Sequence, residues 1–250
     1  MTLSPQQKER YARHLMLPEV GTEGQRLLAE ARVLVVGLGG LGSPAALYLA
    51  AAGVGTLGLI DGDNVEISNL QRQVIHNTSA LGKPKVTSAA ETIARINPDV
   101  NTIVYEELLT EANAYDITGG YDFIVDATDS SQTKYLINDT CVKTGIAFSH
   151  GAIKEYGGYT FTYVPGYPCY RCLFGVNTPI KDIPPSASSG VLGVVPGILG
   201  SIQAAETIKY ITGIGEPLTG RLLNFDIRTM NFNIIKFSHS PNCSACKTTK

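Results

Sequence analysis

One run constrains this chain more than any other: Val33-Leu34-Val35-Val36-Gly37-Leu38-Gly39-Gly40-Leu41-Gly42-Ser43. Aliphatic and β-branched residues lead into glycines at 37, 39 and 42, and an apolar helical pattern follows. That is the order of strand, phosphate-binding turn and helix in a dinucleotide-type βαβ unit. Glycines let the backbone turn sharply and let a phosphate lie against the N–H groups at a helix start. The G-x-G-x-x-G spacing alone does not choose between a nicotinamide cofactor, a nucleoside triphosphate and no ligand.

Strands and helices alternate around this unit. Strands are expected at Val33–Val36, Thr56–Ile60, Thr102–Tyr105, Phe123–Asp126 and Ile146–His150. Helices are expected at Pro44–Ala52, Lys83–Ile96, Glu111–Ile117 and Lys134–Lys143. The helix over Lys83–Ile96 stops at Asn97-Pro98. Ser4-Pro5 offers a hydroxyl N-cap and a first-turn proline for a helix running to Leu15, and a second short helix is read at Thr22–Glu30. The alternation predicts an α/β fold, a Rossmann-like, mostly parallel sheet with helices on both faces. Further strands at Tyr159–Val164, Arg221–Asp226 and Asn233–Phe237 and a helix at Ile198–Ile211 build a second half onto the first. The expected organisation is one domain over residues 1–250, with N-terminal helices in 1–30. Prolines at 165, 168, 179, 184 and 185 mark a long irregular stretch, with a flexible loop at about 175–192.

Composition narrows the class. The chain has 250 residues, 44% hydrophobic and 17% charged, with a formal net charge of −2. Such a chain buries a sizeable core and gives no electrostatic reason to expect nucleic acid or a membrane as partner. The N-terminus is polar, and the longest apolar stretch, Pro44 to Ile60, is short and glycine-interrupted, so a cytoplasmic location is expected.

Charged residues at the expected strand ends select the nucleotide. Asp61 lies 19 residues past Gly42, where an acidic group meets a ribose hydroxyl in this architecture. That suits NAD or ATP equally. A dinucleotide's pyrophosphate carries about two charges, which a glycine turn and helix start can hold; a triphosphate carries nearly four and calls for cations and a metal. Asn69, Arg72 and Gln73 follow Asp61, then Lys83 and Lys85, and Asp126 and Asp129 stand at a later strand end. An aspartate there suits Mg²⁺ on the phosphates. His14, His76, His150 and His239 form no recognisable catalytic pairing for hydride transfer. ATP is favoured.

Taken together, Gly37-Leu38-Gly39-Gly40-Leu41-Gly42, Asp61-x-Asp63, Ser68-Asn69-Leu70-Gln71-Arg72-Gln73, Lys85 and Asp126-Ala127-Thr128-Asp129-Ser130 resemble the ubiquitin-activating-like adenylyltransferases. The similarity is to their bacterial sulfur-carrier branch, the HesA/MoeB/ThiF family, and it runs from about Tyr11 to Cys246. It implies ATP-dependent adenylation of the C-terminal Gly-Gly carboxylate of a small ubiquitin-like sulfur carrier, with release of pyrophosphate. It also implies that Asp61 holds the ribose, that Asn69, Arg72 and Lys85 meet the phosphates, and that Asp129 holds Mg²⁺. Arg13 matches an arginine that reaches the phosphates from the other subunit of a homodimer. The related tRNA threonylcarbamoyladenosine dehydratases share the nucleotide site, but a more basic surface would be expected of them. An NAD-dependent oxidoreductase would share the glycine turn, and a non-catalytic scaffold would keep the fold without a need for Arg72, Lys85 and Asp129.

Cys169-x-x-Cys172 and Cys243-x-x-Cys246 are two pairs separated by 70 residues. A single pair suits a redox motif; two pairs suit a tetrahedral Zn²⁺ site fastening the C-terminal tail. Cys141 reads as an inert core thiol. Many relatives carry a cysteine in the loop before the Gly190-Val191-Leu192-Gly193 run, where this chain has Ser186. Serine neither ionises near neutral pH nor forms persulfides, so adenylation alone is expected, with sulfur brought by a separate donor protein. This leans towards a carrier of the molybdopterin-synthase type, ahead of one of the thiamine type.

Overall fold

A computed structural model of the chain describes residues 3–175 and 190–246. Eight strands form one sheet: β1 (Arg32–Val36), β2 (Thr56–Ile60), β3 (Asn101–Tyr105), β4 (Phe123–Asp126), β5 (Ala147–Lys154), β6 (Gly157–Tyr163), β7 (Arg221–Asp226) and β8 (Asn231–Lys236). Their order is β3-β2-β1-β4-β5-β6-β7-β8. The first five pair in parallel, and β6 to β8 add antiparallel strands to the β5 edge. The sequence-based strand positions hold to within a few residues. The largest difference is β5, which runs four residues past His150 before turning into β6.

The helices are α1 (Pro5–Arg10), α2 (Ala12–Leu15), α3 (Gly21–Glu30), α4 (Gly42–Ala52), α5 (Lys85–Ile96), α6 (Ala114–Thr118), α7 (Ser131–Thr144), α8 (Tyr170–Phe174) and α9 (Val194–Thr212). The expected N-terminal helix is split at Tyr11 into α1 and α2. Ser4 and Gln7 close a reciprocal capping box at the start of α1. The turn α8 falls within the proline-rich stretch expected to be irregular, and α9 begins four residues earlier than expected. Pro196 is tolerated there because the first turn of a helix has no N–H bond to lose.

Alternation along each strand assigns the two faces. Val33 and Val35, with Leu57, Leu59 and Val125, bury against Leu49 of α4, Val86 of α5 and Leu199 of α9. Leu34, Val36, Ile60 and Ile124 bury on the opposite face with Ile117 of α6 and Ile137 and Cys141 of α7. Covering both faces is what parallel strands require, and it explains why β1 and β4 read as unbroken apolar runs. Cys141 is fully buried in this second core, as expected of an inert thiol. Among the described residues, no helix is long and apolar enough to cross a membrane.

Candidate active site

The carboxyl ends of β1, β2 and β4 open into a pocket of about 520 Å³. Chain reversal between β1 and β4 makes this the crevice where open α/β sheets bind ligands. Its floor is the glycine turn. Gly37 adopts φ +91°, and a Cβ there would press to 2.9 Å of the Ala127 carbonyl oxygen. Gly39 and Gly40 line the pocket. Gly42 does not; a methyl group on it would run into the Gly37 carbonyl, so its work is to let α4 start directly under the turn.

Asp61, at the end of β2, is 8% exposed. Its Oδ2 accepts the Leu38 N–H at 2.7 Å, and its Oδ1 accepts the Asp63 N–H at 2.9 Å. The carboxylate thereby ties the glycine turn to the following loop and keeps further lone pairs towards the pocket. Lys85 opens α5 with its ammonium buried, donating to Asp63 Oδ2 at 2.7 Å and standing 3.8 Å from Asp61 Oδ1. His76 supports the turn from beneath: its Nε2 donates to the Leu38 carbonyl at 3.1 Å and its Nδ1 accepts from Ser88 Oγ at 2.9 Å. Burial holds His76 below the ordinary histidine range, which favours the neutral tautomer this pairing needs.

Of the Ser68–Gln73 run, Gln71, Arg72 and Gln73 reach the pocket wall. Ser68 and Asn69 belong to a 3-10 turn (Ile67–Asn69) outside its lining, and Leu70 follows as that turn's cap. Asn69 shapes the turn by accepting the Glu66 N–H, and Arg72 donates to the Ser68 carbonyl at 3.1 Å. Asp129 and Ser130 line the opposite wall, where Ser130 also caps α7 by accepting the Thr133 N–H. Arg13 is exposed on α2 and lies outside its own chain's pocket.

Residues that sequence reasoning did not single out complete the wall, among them Leu108, Thr133 and Lys134. Asp126 turns out not to face ligand. It is 1% exposed, bound by Lys134, His150 and Thr128, so of the two strand-end aspartates only Asp129 reaches the pocket. The sequence shows no partner for any histidine, yet His150 Nδ1 lies 2.8 Å from Asp126 Oδ2. The parallel register of β4 and β5 sets Asp126 opposite His150, a signal that emerges only once those strands are paired. Ser186, together with most of the expected loop at 175–192, lies outside the described residues.

About the other half of the sheet, the four cysteines of the two C-x-x-C pairs meet. Their sulfurs all lie within 4.8 Å of one another, with Cys169–Cys243 at 3.6 Å and Cys172–Cys246 at 3.3 Å. A tetrahedral Zn²⁺ with bonds of about 2.3 Å places sulfurs about 3.8 Å apart, so the constellation fits such an ion. All four thiols are free, and burial pushes Cys169 up to about 12, a cost that a bound cation removes by stabilising the thiolate.

Comparison with known proteins agrees with this geometry. The ThiF family model matches residues 11–245. The maize adenylyltransferase and sulfurtransferase MOCS3-1 is 48% identical over 239 residues, 95% of this chain and 51% of that protein. The SAMP-activating enzyme E1 of Haloferax volcanii is 46% identical over 98% of this chain and 91% of its own length. The sulfur carrier protein adenylyltransferase of Thermus thermophilus is 42% identical over 98% of this chain and 93% of its own. This chain thus spans about half the length of the maize relative and nearly all of the other two. The crystal structure of E. coli MccB with MccA-N7isoASN superposes with a TM-score of 0.84 at 24% identity, covering 95% of this chain and 74% of that one, which shows the shared fold. The glycine turn, the strand-end acids and cations and the near-complete match of the family model establish that this chain belongs to the ThiF family.

Proposed function

We propose that this protein adenylates the C-terminal Gly-Gly carboxylate of a small ubiquitin-like sulfur-carrier protein, using ATP and Mg²⁺ and releasing pyrophosphate. One observation carries the reading. The pocket at the strand ends gathers the glycine turn, Asp61, Arg72, Lys85 and Asp129 within one wall-to-wall crevice. That set suits a triphosphate better than a dinucleotide, because two cations and a magnesium-type carboxylate exceed what a pyrophosphate needs.

In the proposed step a carrier carboxylate oxygen attacks the α-phosphorus. The bond from that phosphorus to the bridging oxygen breaks, and pyrophosphate leaves with the electron pair. A carboxylate is a weak nucleophile, so catalysis lies in in-line placement and charge neutralisation. Gly37, Gly39 and Gly40 admit the phosphates close to the backbone. Asp61 takes the ribose hydroxyls, and Arg72 and Lys85 face the phosphates, with Gln71, Gln73 and Ser130 as polar walls. Lys85 is held by Asp63 and Asp61, which keeps its ammonium extended towards the site. Mg²⁺ on Asp129 would neutralise phosphate charge. Ser68, Asn69 and Leu70 shape the turn that presents Arg72, and Arg13 serves the site of the partner subunit in a homodimer. Zn²⁺ on Cys169, Cys172, Cys243 and Cys246 pins the tail. Sulfur reaches the adenylate from a separate donor protein.

Names of the relatives support the substrate class: those from maize, Haloferax volcanii and Thermus thermophilus are called, respectively, adenylyltransferase and sulfurtransferase, SAMP-activating enzyme and sulfur carrier protein adenylyltransferase. The test is ATP–pyrophosphate exchange with carrier proteins ending in Gly-Gly, of molybdopterin-synthase and thiamine type in turn. Carrier-dependent exchange is expected, strongest with the molybdopterin type. No exchange with any carrier, or NAD binding tighter than ATP, overturns the reading.

A further inference from the structure

At the pocket wall lies a buried ionic network that the proposed chemistry does not use. Lys134, 6% exposed and on the first turn of α7, donates to both carboxylate oxygens of Asp126 at 3.2 Å and to the Gly151 carbonyl at 2.7 Å. These three bonds use all the protons of its ammonium. Asp126 Oδ2 also faces His150 Nδ1 at 2.8 Å, and Asp126 Oδ1 accepts both the N–H and the hydroxyl of Thr128, at 3.2 and 2.8 Å. The Asp126 carbonyl accepts from Gln203 of α9 at 2.8 Å. One carboxylate thus joins β4, β5 and α7 and shapes the loop that carries Asp129.

Stability alone does not account for burying such charges, since an apolar replacement of a buried ion pair is often neutral or stabilising. Its location points elsewhere. The loop from Ala127 to Ser130 is clamped at one end by Asp126 and at the other by the Ser130 cap, with Asp129 between. Ala127 in turn abuts Gly37 of the phosphate turn. We propose that Lys134 is a positioning residue of the nucleotide site: it locks the ends of β4 and β5 together, stations the Asp129 loop, and cancels the Asp126 charge beneath the phosphates. The inference rests on the nucleotide reading of the pocket.

His150 supplies a signature that a merely structural lysine would not give. It is fully buried, its Nε2 has no hydrogen-bond partner among the described residues, and the rings of Tyr159, Phe161, Tyr170 and Phe174 surround it. The titratable groups near it are Asp126 on β4, Lys134 on α7, Tyr159 on β6 and Tyr170 on α8. Burial, then the Lys134 charge, hold its imidazole down to about 4, so it is neutral beside the Asp126–Lys134 pair. Without the ammonium, Asp126 becomes the dominant neighbour, and the imidazole takes up the compensating proton.

The experiment follows His150 by NMR of histidine-labelled protein, and in parallel the binding of a non-hydrolysable ATP analogue with Mg²⁺. In the wild type, His150 stays neutral from about pH 5.5 to 8. In Lys134→Met it titrates within that window; analogue affinity falls about tenfold at pH 8 and recovers most of that loss near pH 6, where the imidazolium restores the missing charge. Lys134→Arg returns His150 to neutrality and affinity towards wild type. A His150 that stays neutral in Lys134→Met, or an equal affinity loss at both pH values, overturns the proposal. Should Lys134→Met not fold, Lys134→Gln keeps a donor for the Gly151 carbonyl while removing the charge. It should raise the Mg²⁺ concentration for half-maximal binding severalfold, and an unchanged value overturns the loop-stationing role. A wild type that ignores the analogue while His150 titrates in Lys134→Met would instead refute the nucleotide reading.

Discussion

At the scale of single residues, Asp129 and Gly42 separate chemistry from scaffolding. Asp129 lines the pocket on an exposed loop, so the proposed Mg²⁺ role can be removed there without opening the core. Asp129→Ala should lower carrier-dependent pyrophosphate exchange at least about a hundredfold while melting temperature and zinc content stay as in the wild type. A fall in zinc content would show a structural role instead. Gly42→Ala acts in the opposite way. Its methyl group collides with the Gly37 carbonyl, so stability should drop by about 1–3 kcal/mol in denaturant titration. His150 and Asp126 add a pH dependence. His150 sits below its ordinary value in the fold, so the unfolded chain protonates first: its contribution is complete above about pH 6.5 and declines as pH falls to about 4. For Asp126, burial raises the carboxyl but Lys134 and the His150 bond outweigh it and bring it to about 2, so that contribution is lost from about pH 4 down to 2. Thermal melts should therefore fall steadily between pH 7 and 4, and His150→Asn should flatten that slope. An unchanged slope would show that His150 takes up its proton at the same pH in the native and unfolded states. His76, held low by burial, keeps a residual slope in the same direction.

Among elements, what was legible in the sequence is what local pattern determines. Arg32–Val36 and Phe123–Asp126 read as buried strands because apolar side chains on both faces leave an unbroken run. The glycine turn was legible because an apolar strand run leads into it and an apolar helical run follows. Lys134 was not, because the sequence pattern starts the helix at that residue. Capping by Ser130 starts α7 at Ser131 and brings Lys134 back over the strand ends. The short helix α8 was hidden by flanking prolines, and it forms where Cys169 and Cys172 must turn towards the tail. The C-x-x-C pairs were legible as pairs, and their meeting depends on β6, β7 and β8 returning the chain beside α8. Phe237 packs edge-on against Phe161 and Cys243 is 1% exposed, so the tail already lies on the second core. Cys243→Ser should release one Zn²⁺ per chain, measured by metal analysis, and lower the melting temperature by roughly 5–10 °C. Metal content equal to wild type would refute the four-cysteine site. The nucleotide pocket draws on other elements, so ATP binding should survive this change.

For the whole molecule, the question is whether one chain holds a complete site. Arg72, Lys85 and Asp129 converge within a chain, but Arg13 sits on exposed α2, outside its own pocket. The segment around it also exposes Met16 and Leu17, at 69% and 51%. If Arg13 serves the nucleotide site as proposed, a second copy is the natural source of it, and a symmetric dimer would then hold two shared sites. Subunit mixing tests this directly. Arg13→Ala and Asp129→Ala should each be inactive alone. If Arg13 acts across the interface, a mixed dimer has one site with both changes and one with neither. Unfolding and refolding the two variants together in equal amounts makes half of the dimers mixed, so exchange activity should return to about a quarter of wild type. If Arg13 instead acts within its own chain, every site in the mixture carries one change, and no activity returns. Full activity of Arg13→Ala by itself would remove the residue from the site altogether.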